Sequence, residues 1–308
     1  MTSFGRSLID TTSLSKAQIQ HLFSLADQFG ENFKNFGYFL NPKLKKIVCC
    51  VFFEPSTRTR MSFQISAERL GMSVVVMESV SSSLIKGESL ADTILNLSAM
   101  NPDALVVRYG HSPELDGVLA KSNIPIINGG SGIAAHPTQA LLDAYTILKE
   151  KGQVSGQKVL IIGDIVHSRV ARSNYDVLTK LGAELAFCGP ENFLDAKANF
   201  PKAQIFSKLK EALEWCTVCM GLRIQLERHD ASDLNSLSID DYHSQYGLNE
   251  KSLKYLRADA LIMHPGPINI GVEFAAEVLA DSRSRILTQV SNGVLIRAAV
   301  LATLTRLT

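Results

Sequence analysis

Ser56-Thr57-Arg58-Thr59-Arg60 is a dense run of anion-binding side chains. The apolar segment Lys46–Phe53 precedes it and reads as a buried strand; the amphipathic segment Thr57–Leu70, closed by Gly71, follows and reads as a helix. A strand end that meets a helix start presents backbone N–H groups and the positive end of the helix dipole, which together suit a phosphate. Ser56, Thr57 and Thr59 add hydroxyls there and Arg58 adds a guanidinium. The same residues also suit a plain N-cap with solvated arginines.

More charged and polar residues stand where strands are expected to end, and open α/β sheets bind ligands beyond those carboxyl ends. Arg108 closes one predicted strand, and Asn128 and His136 follow the next. In the second half Asp164 and Arg169 follow one strand, Arg223 and Gln225 another, and His264-Pro265-Gly266-Pro267 the last. Any one of these arginines suits a solvated surface. Jointly, Arg58, Arg108, Arg169 and Arg223 imply a cleft for a substrate with several negative charges, because guanidinium grips phosphate and carboxylate bidentately. His136 suits a capping or core role, while its near-neutral titration keeps a chemical role open. Lys86, in Ser83-Leu84-Ile85-Lys86-Gly87-Glu88, reads by itself as an exposed loop lysine.

The elements that must position these groups alternate. A helix opens at Ser15, where Ser15 and Gln18 have capping-box spacing and Ile19, Leu22, Phe23, Ala26 and Phe29 share a face. Strands are expected at Lys46–Phe53, Ser73–Met77, Asp103–Arg108 and Ile124–Asn128, and helices at Thr57–Leu70, Glu88–Met100 and Pro113–Ser122. Gly129–Gly132 reads as a loop, and Pro137 suits the first turn of the helix that follows His136. The polar linker Lys151–Gln157 marks a domain boundary. A second alternation runs through strands Lys158–Gly163, Ala183–Cys188, Thr217–Gly221 and Asp259–His264, with helices Arg169–Leu181 and Lys208–Trp215. Ile224–Asn249 reads as a long polar loop and Gly293–Leu307 as a buried helix. The fold expected is α/β, with two doubly wound parallel-sheet domains joined by interdomain helices. The domains run 1–150, completed by a C-terminal helix 291–308, and 151–290.

Composition removes several function classes. The 308 residues carry a net charge of +1, which makes no electrostatic case for nucleic acid or an anionic membrane. No run approaches the ~20 apolar residues of a membrane span. Met1–Arg6 has no apolar signal core, so a cytoplasmic protein is expected. Five cysteines, Cys49, Cys50, Cys188, Cys216 and Cys219, suit buried thiols in a reducing compartment. Cys216 and Cys219 have redox or metal spacing but no second pair, and they lie in a core strand, so plain packing is expected. Lys158–Asp164 resembles the start of a dinucleotide fold but lacks G-x-G-x-x-G, and neither a P-loop nor a G-x-S-x-G elbow occurs. No His/Cys/carboxylate cluster has metal spacing.

With these positions assembled, the chain resembles the aspartate/ornithine carbamoyltransferase family. Ser56-Thr57-Arg58-Thr59-Arg60 is similar to that family's carbamoyl-phosphate motif and His136-Pro137-Thr138-Gln139 to its second signature. Arg223-Ile224-Gln225 and His264-Pro265-Gly266-Pro267 resemble the members that use aspartate; ornithine users carry cysteine where Pro265 stands. The resemblance implies transfer of the carbamoyl group from carbamoyl phosphate to the amine of L-aspartate, an early step of pyrimidine synthesis, with no metal or organic cofactor. It implies that Ser56, Thr57, Arg58 and Thr59 hold the phosphate, and that Thr59, Arg108 and His136 polarise the carbonyl. Gln139 and the carbonyl of Pro265 would hold the carbamoyl NH2. Arg169, near Arg108, would take the α-carboxylate of aspartate, and Arg223, Gln225 and Lys86 the side-chain carboxylate, with Gly266 and Pro267 also lining that part.

The resemblance further implies a homotrimer with shared sites, Ser83 and Lys86 reaching in from an adjacent subunit, and domain closure around aspartate. A regulatory chain or a dihydroorotase is a possible partner. Two departures from many relatives stand out: one lysine before Gly87 where some carry two, and Ile270 where many carry arginine. The competing readings are a carbamoyltransferase for another amino acid and a non-catalytic homologue that binds carbamoyl phosphate.

Overall fold

The computed structural model describes residues 4–40, 45–78, 88–110, 112–131, 135–194, 199–224 and 238–307. The chain divides into two compact units, Met1–Leu142 with Val290–Thr308, and Asp143–Gln289.

The first unit opens with α1 (Lys16–Phe36). Ser15 and Gln18 form the expected capping box, and the apolar face Ile19, Leu22, Phe23, Leu25, Ala26 and Phe29 is buried. There follow β1 (Ile47–Phe52), α2 (Thr57–Arg69), β2 (Ser73–Glu78), α3 (Leu90–Ala99), β3 (Ala104–Tyr109), α4 (Pro113–Lys121), β4 (Ile126–Ser131) and α5 (Pro137–Lys151). The sheet order is β2-β1-β3-β4, all parallel. Val48, Val51, Leu105, Val107 and Ile126 are buried in it, as expected of strands covered on both faces. Chain order reverses between β1 and β3, and Phe52 lies opposite Arg108 there. The opening motif and Arg108 therefore leave the sheet side by side at a topological switch point.

One expectation fails in this unit. Gly129–Ser131 is not a loop; β4 continues through it. The strand register shifts between Val107 and Tyr109, Gly130 takes φ +114°, and Asn128 Oδ1 accepts the Gly130 N–H at 2.7 Å. A bulge relieved by glycine lets pairing continue where a glycine run ordinarily signals a turn.

The second unit holds β5 (Lys158–Ile162), α6 (Arg169–Leu181), β6 (Glu184–Cys188), α7 (Glu191–Leu194), β7 (Gln204–Phe206), α8 (Leu209–Trp215), β8 (Val218–Gly221), α9 (Ile239–Tyr246), β9 (Leu261–Met263) and α10 (Ala276–Ala280). Its parallel sheet runs β7-β6-β5-β8-β9, with the switch between β5 and β8, where Ile162 faces Gly221. The polar stretch expected as one loop contains α9, opened by a Ser238/Asp241 capping box; only Tyr242 of that helix is buried, so its apolar period is faint. Cys188, Cys216 and Cys219 lie in the core of this unit.

The last helix, α11 (Ile286–Leu304), starts earlier than its apolar composition suggests. By length and composition it would also suit a membrane span, a match that scanning for apolar runs does not register; half of that stretch is buried. Buried Arg297 donates to Ser62 Oγ at 2.9 Å, and Ser66 Oγ donates to Val294 O at 2.8 Å. These bonds fasten α11 to α2, the helix that begins in the opening motif.

Candidate active site

In the first unit the site is built where β1, β3 and β4 end. Ser56 occupies the N-cap position of α2, yet its side chain makes no capping bond. The plain-cap reading of Ser56 therefore fails. By helix geometry the amides of Thr57, Arg58 and Thr59 precede the intrahelical ladder, which begins with Arg60 N–H donating to Ser56 O at 3.3 Å. Thr57 and Arg58 are exposed and Thr59 is buried. This is an anion-ready helix start carrying three hydroxyls and a guanidinium.

Arg108 is held beside that start. The Phe53 N–H donates to Arg108 O at 2.8 Å, and the guanidinium lies 3.6 Å from Glu54 Oε2 and donates to Gly129 O at 3.4 Å. His136 is buried, and its carbonyl accepts from Gln139 and Ala140 at 3.1 and 3.2 Å, which sets the first turn of α5. Gly130 brings these groups together. A Cβ on it would stand 3.0 Å from Arg108 Nη1 and 3.5 Å from His136 Nε2. A hydrogen-bonding guanidinium and an imidazole thus pack against the same glycine at the strand ends.

In the second unit Arg169 is the first residue of α6, and Ser168 Oγ caps that helix by accepting the Ala171 N–H at 3.1 Å. Asp164, two residues beyond β5, receives His167 Nδ1 at 3.0 Å. Arg223 follows β8 by two residues. The turn it sits on is clamped: buried Glu273 accepts the Ile224 N–H at 2.6 Å and the Asn269 N–H at 2.7 Å, while Asn269 Nδ2 donates to Ile224 O at 3.0 Å. Burial pushes the Glu273 carboxyl above the usual range, against the lowering effect of those N–H donors.

Pro265, Gly266 and Pro267 follow β9. His264 Nδ1 accepts the Gly266 N–H at 2.8 Å, so in the neutral imidazole the proton is on Nε2. Gly266 has φ +66° and is joined to Pro267 by a cis peptide bond.

Sequence reasoning missed Glu54, His167 and Glu273 as site-building residues. The Asp164-x-x-His167 spacing before a helix cap is a usable signal; Glu273 has one nearby partner, Asn269 four residues earlier, but its bond to Ile224 joins distant segments. Ser83, Lys86 and Gln225 lie outside the described residues. Among the described residues no group of three or more His, Cys, Asp or Glu is arranged to hold a metal ion.

The fold and this set of groups define a carbamoyltransferase architecture, and the comparisons agree. Residues 6–149 match the family model for the aspartate/ornithine carbamoyltransferase carbamoyl-phosphate-binding domain, and residues 155–304 match that for the Asp/Orn-binding domain. The chain belongs to the aspartate/ornithine carbamoyltransferase family.

Within it, the chain is 42% identical over 296 residues to the aspartate carbamoyltransferase catalytic subunit of Sorangium cellulosum, covering 96% of this chain and 92% of that one. It is 41% identical over 302 residues to the subunit of the same name from Flavobacterium psychrophilum, covering 96% and 95%. Among solved structures, aspartate transcarbamoylase from Trypanosoma cruzi in complex with carbamoyl phosphate and aspartate matches with TM-score 0.85 at 30% identity, over 96% of each chain. Ornithine carbamoyltransferase from Thermus thermophilus matches in fold with TM-score 0.83 at 24% identity, over 98% and 99%.

Proposed function

We propose that this chain transfers the carbamoyl group of carbamoyl phosphate to the amine of L-aspartate, giving N-carbamoyl-L-aspartate and phosphate for pyrimidine synthesis. The observation that carries the reading is the convergence of Arg108 and His136 on Gly130, beside the uncapped start of α2. The amine nitrogen attacks the carbamoyl carbon, the bond from that carbon to the phosphate oxygen breaks, and the amine proton passes to the departing phosphate. Charge builds first on the carbonyl oxygen and then on the phosphate.

Ser56, Thr57, Arg58 and Thr59 take the phosphate, and Thr59, Arg108 and His136 take the carbonyl oxygen. One preorganised donor of this kind is worth about 3 kcal/mol of barrier. Gln139 and the Pro265 carbonyl orient the carbamoyl NH2. Arg169, with Arg108, holds the α-carboxylate. Arg223, Gln225 and Lys86 select the side-chain carboxylate, with Gly266 and Pro267 lining that end.

The working form is a homotrimer in which Ser83 and Lys86 serve a neighbour's site. Supporting this, edge strand β2 exposes Val75 and Val76, α2 exposes Met61 and Ile65, and β2 leads directly into the segment that carries Ser83 and Lys86. An unpaired edge with apolar side chains calls for a covering partner. The free cysteines suit a cytoplasmic enzyme.

A carbamoyl-transfer assay over a panel of amino acids tests the reading. Turnover with aspartate is expected, and absence of turnover with every amino acid, from folded protein, overturns it.

A further inference from the structure

A buried chain of hydrogen bonds in the second unit ends on the loop after β9. Asn174 of α6 is fully buried, and its Nδ2 donates to Asp143 Oδ2 at 2.8 Å. Asp143 of α5, also fully buried, receives Gln289 Nε2 on its other oxygen at 2.8 Å. Gln289, at the start of α11, accepts the His264 N–H on Oε1 at 2.9 Å. His264 Nδ1 in turn accepts the Gly266 N–H at 2.8 Å. The carboxylate is the acceptor that gives the chain its direction: with both side-chain NH2 groups turned toward Asp143, the Gln289 oxygen is left facing His264.

This arrangement meets a need that the sheet cannot. β9 is only three residues long, and its ladder with β8 ends at Met263. The His264 amide is buried just beyond it, and a buried N–H requires an acceptor. A carboxylate in a dry interior is a costly way to fill space; apolar residues of similar volume usually serve stability as well or better. What the carboxylate provides is a defined direction for every bond in the chain.

We infer that Asp143 is a positioning residue for the aspartate-binding groups. Through Gln289 it sets the backbone of His264–Pro267. Through Asn174 it sets α6, whose first residue is Arg169. The inference rests on the reading that Arg169 and Pro265–Pro267 serve the substrates.

A polarity swap tests it. Asp143→Asn offers one acceptor to two donors, so one link breaks. Gln289→Glu sets a carboxylate against a carboxylate. The double variant restores each link, with the central one reversed. The amide introduced at position 143 accepts from Asn174 and donates to the carboxylate introduced at position 289, and that carboxylate still accepts the His264 N–H. Each single variant is expected to raise the aspartate KM about tenfold, with a smaller rise of about threefold in the carbamoyl-phosphate KM through the Pro265 carbonyl, and the double variant to return to within about threefold of wild type for aspartate. Amide exchange at His264 and Gly266 should accelerate in the singles and recover in the double.

Singles with wild-type KM and exchange would overturn the inference. So would a double variant that fails to fold or is as impaired as the worse single. Absence of wild-type turnover with aspartate would instead remove the functional reading, and the exchange rates would still decide whether the chain positions the loop.

Discussion

Arg108 and His136 meet at a missing side chain: a Cβ on Gly130 would lie 3.0 Å from Arg108 Nη1 and 3.5 Å from His136 Nε2. Gly130 also sits at φ +114°, a conformation L residues rarely adopt. Gly130→Ala should therefore combine backbone strain of about 1–3 kcal/mol with displacement of the two groups proposed to polarise the carbonyl. The expected outcome is a fall in kcat of about 100-fold, with thermal unfolding lowered but still cooperative. Steady-state kinetics with both substrates varied, alongside calorimetry, make the measurement; an unchanged kcat would count against the convergence as the polarising site.

On the proposed reading, Arg58 acts on the leaving phosphate and Lys86 on the aspartate held by a neighbouring subunit. In the proposed trimer, Arg58→Ala should lower kcat about 100-fold, for loss of a charge-assisted donor that strengthens in the transition state, and Lys86→Ala should lower activity at subsaturating aspartate by about 10- to 100-fold. Mixed trimers would contain sites in which both residues are intact, so activity should reappear on mixing. No recovery, with subunit exchange confirmed by mass spectrometry, would exclude a shared site.

Arg223 stands on a turn fastened by Glu273 and Asn269, so its truncation should leave the turn in place. Arg223→Ala is expected to raise the aspartate KM by about 10- to 100-fold, the range for losing a charge-assisted contact of about 1.5–3 kcal/mol. Carbamoyl-phosphate affinity should change little. Inhibition by succinate, a dicarboxylate without the amine, should weaken in parallel; unaltered succinate inhibition would contradict the assignment.

Glu273 supplies a pH signature. Its carboxyl is raised in the folded state, mainly by burial. A raised folded pKa means that its contribution to stability is present below the unfolded value and lost as pH rises through the folded value. Relative to Glu273→Gln, the wild type should therefore lose unfolding free energy as pH rises above about 4, near the unfolded glutamate value. Denaturant midpoints of both proteins across that range give the test, and a difference independent of pH would refute it.

Much of this protein is legible in the chain itself. Val/Ile-rich strands alternating with amphipathic helices dictate two parallel sheets, because each strand must bury both faces and each helix one. The Ser15/Gln18 box marks its helix through local hydrogen bonds alone. The motif at Ser56–Arg60 is readable because strand, turn and helix start are contiguous. Tertiary structure decided the rest. Gly129–Ser131 carries turn residues, yet pairing with β3 makes it strand. Ser56 has the residue type of a cap and does not cap. Arg108 and His136 lie far apart in sequence, and only parallel pairing of β3 with β4 brings them to one point. Asp143, Gln289 and His264 have no local pattern at all, because a hydrogen bond between buried side chains depends on where whole elements dock, and spacing along the chain does not encode that.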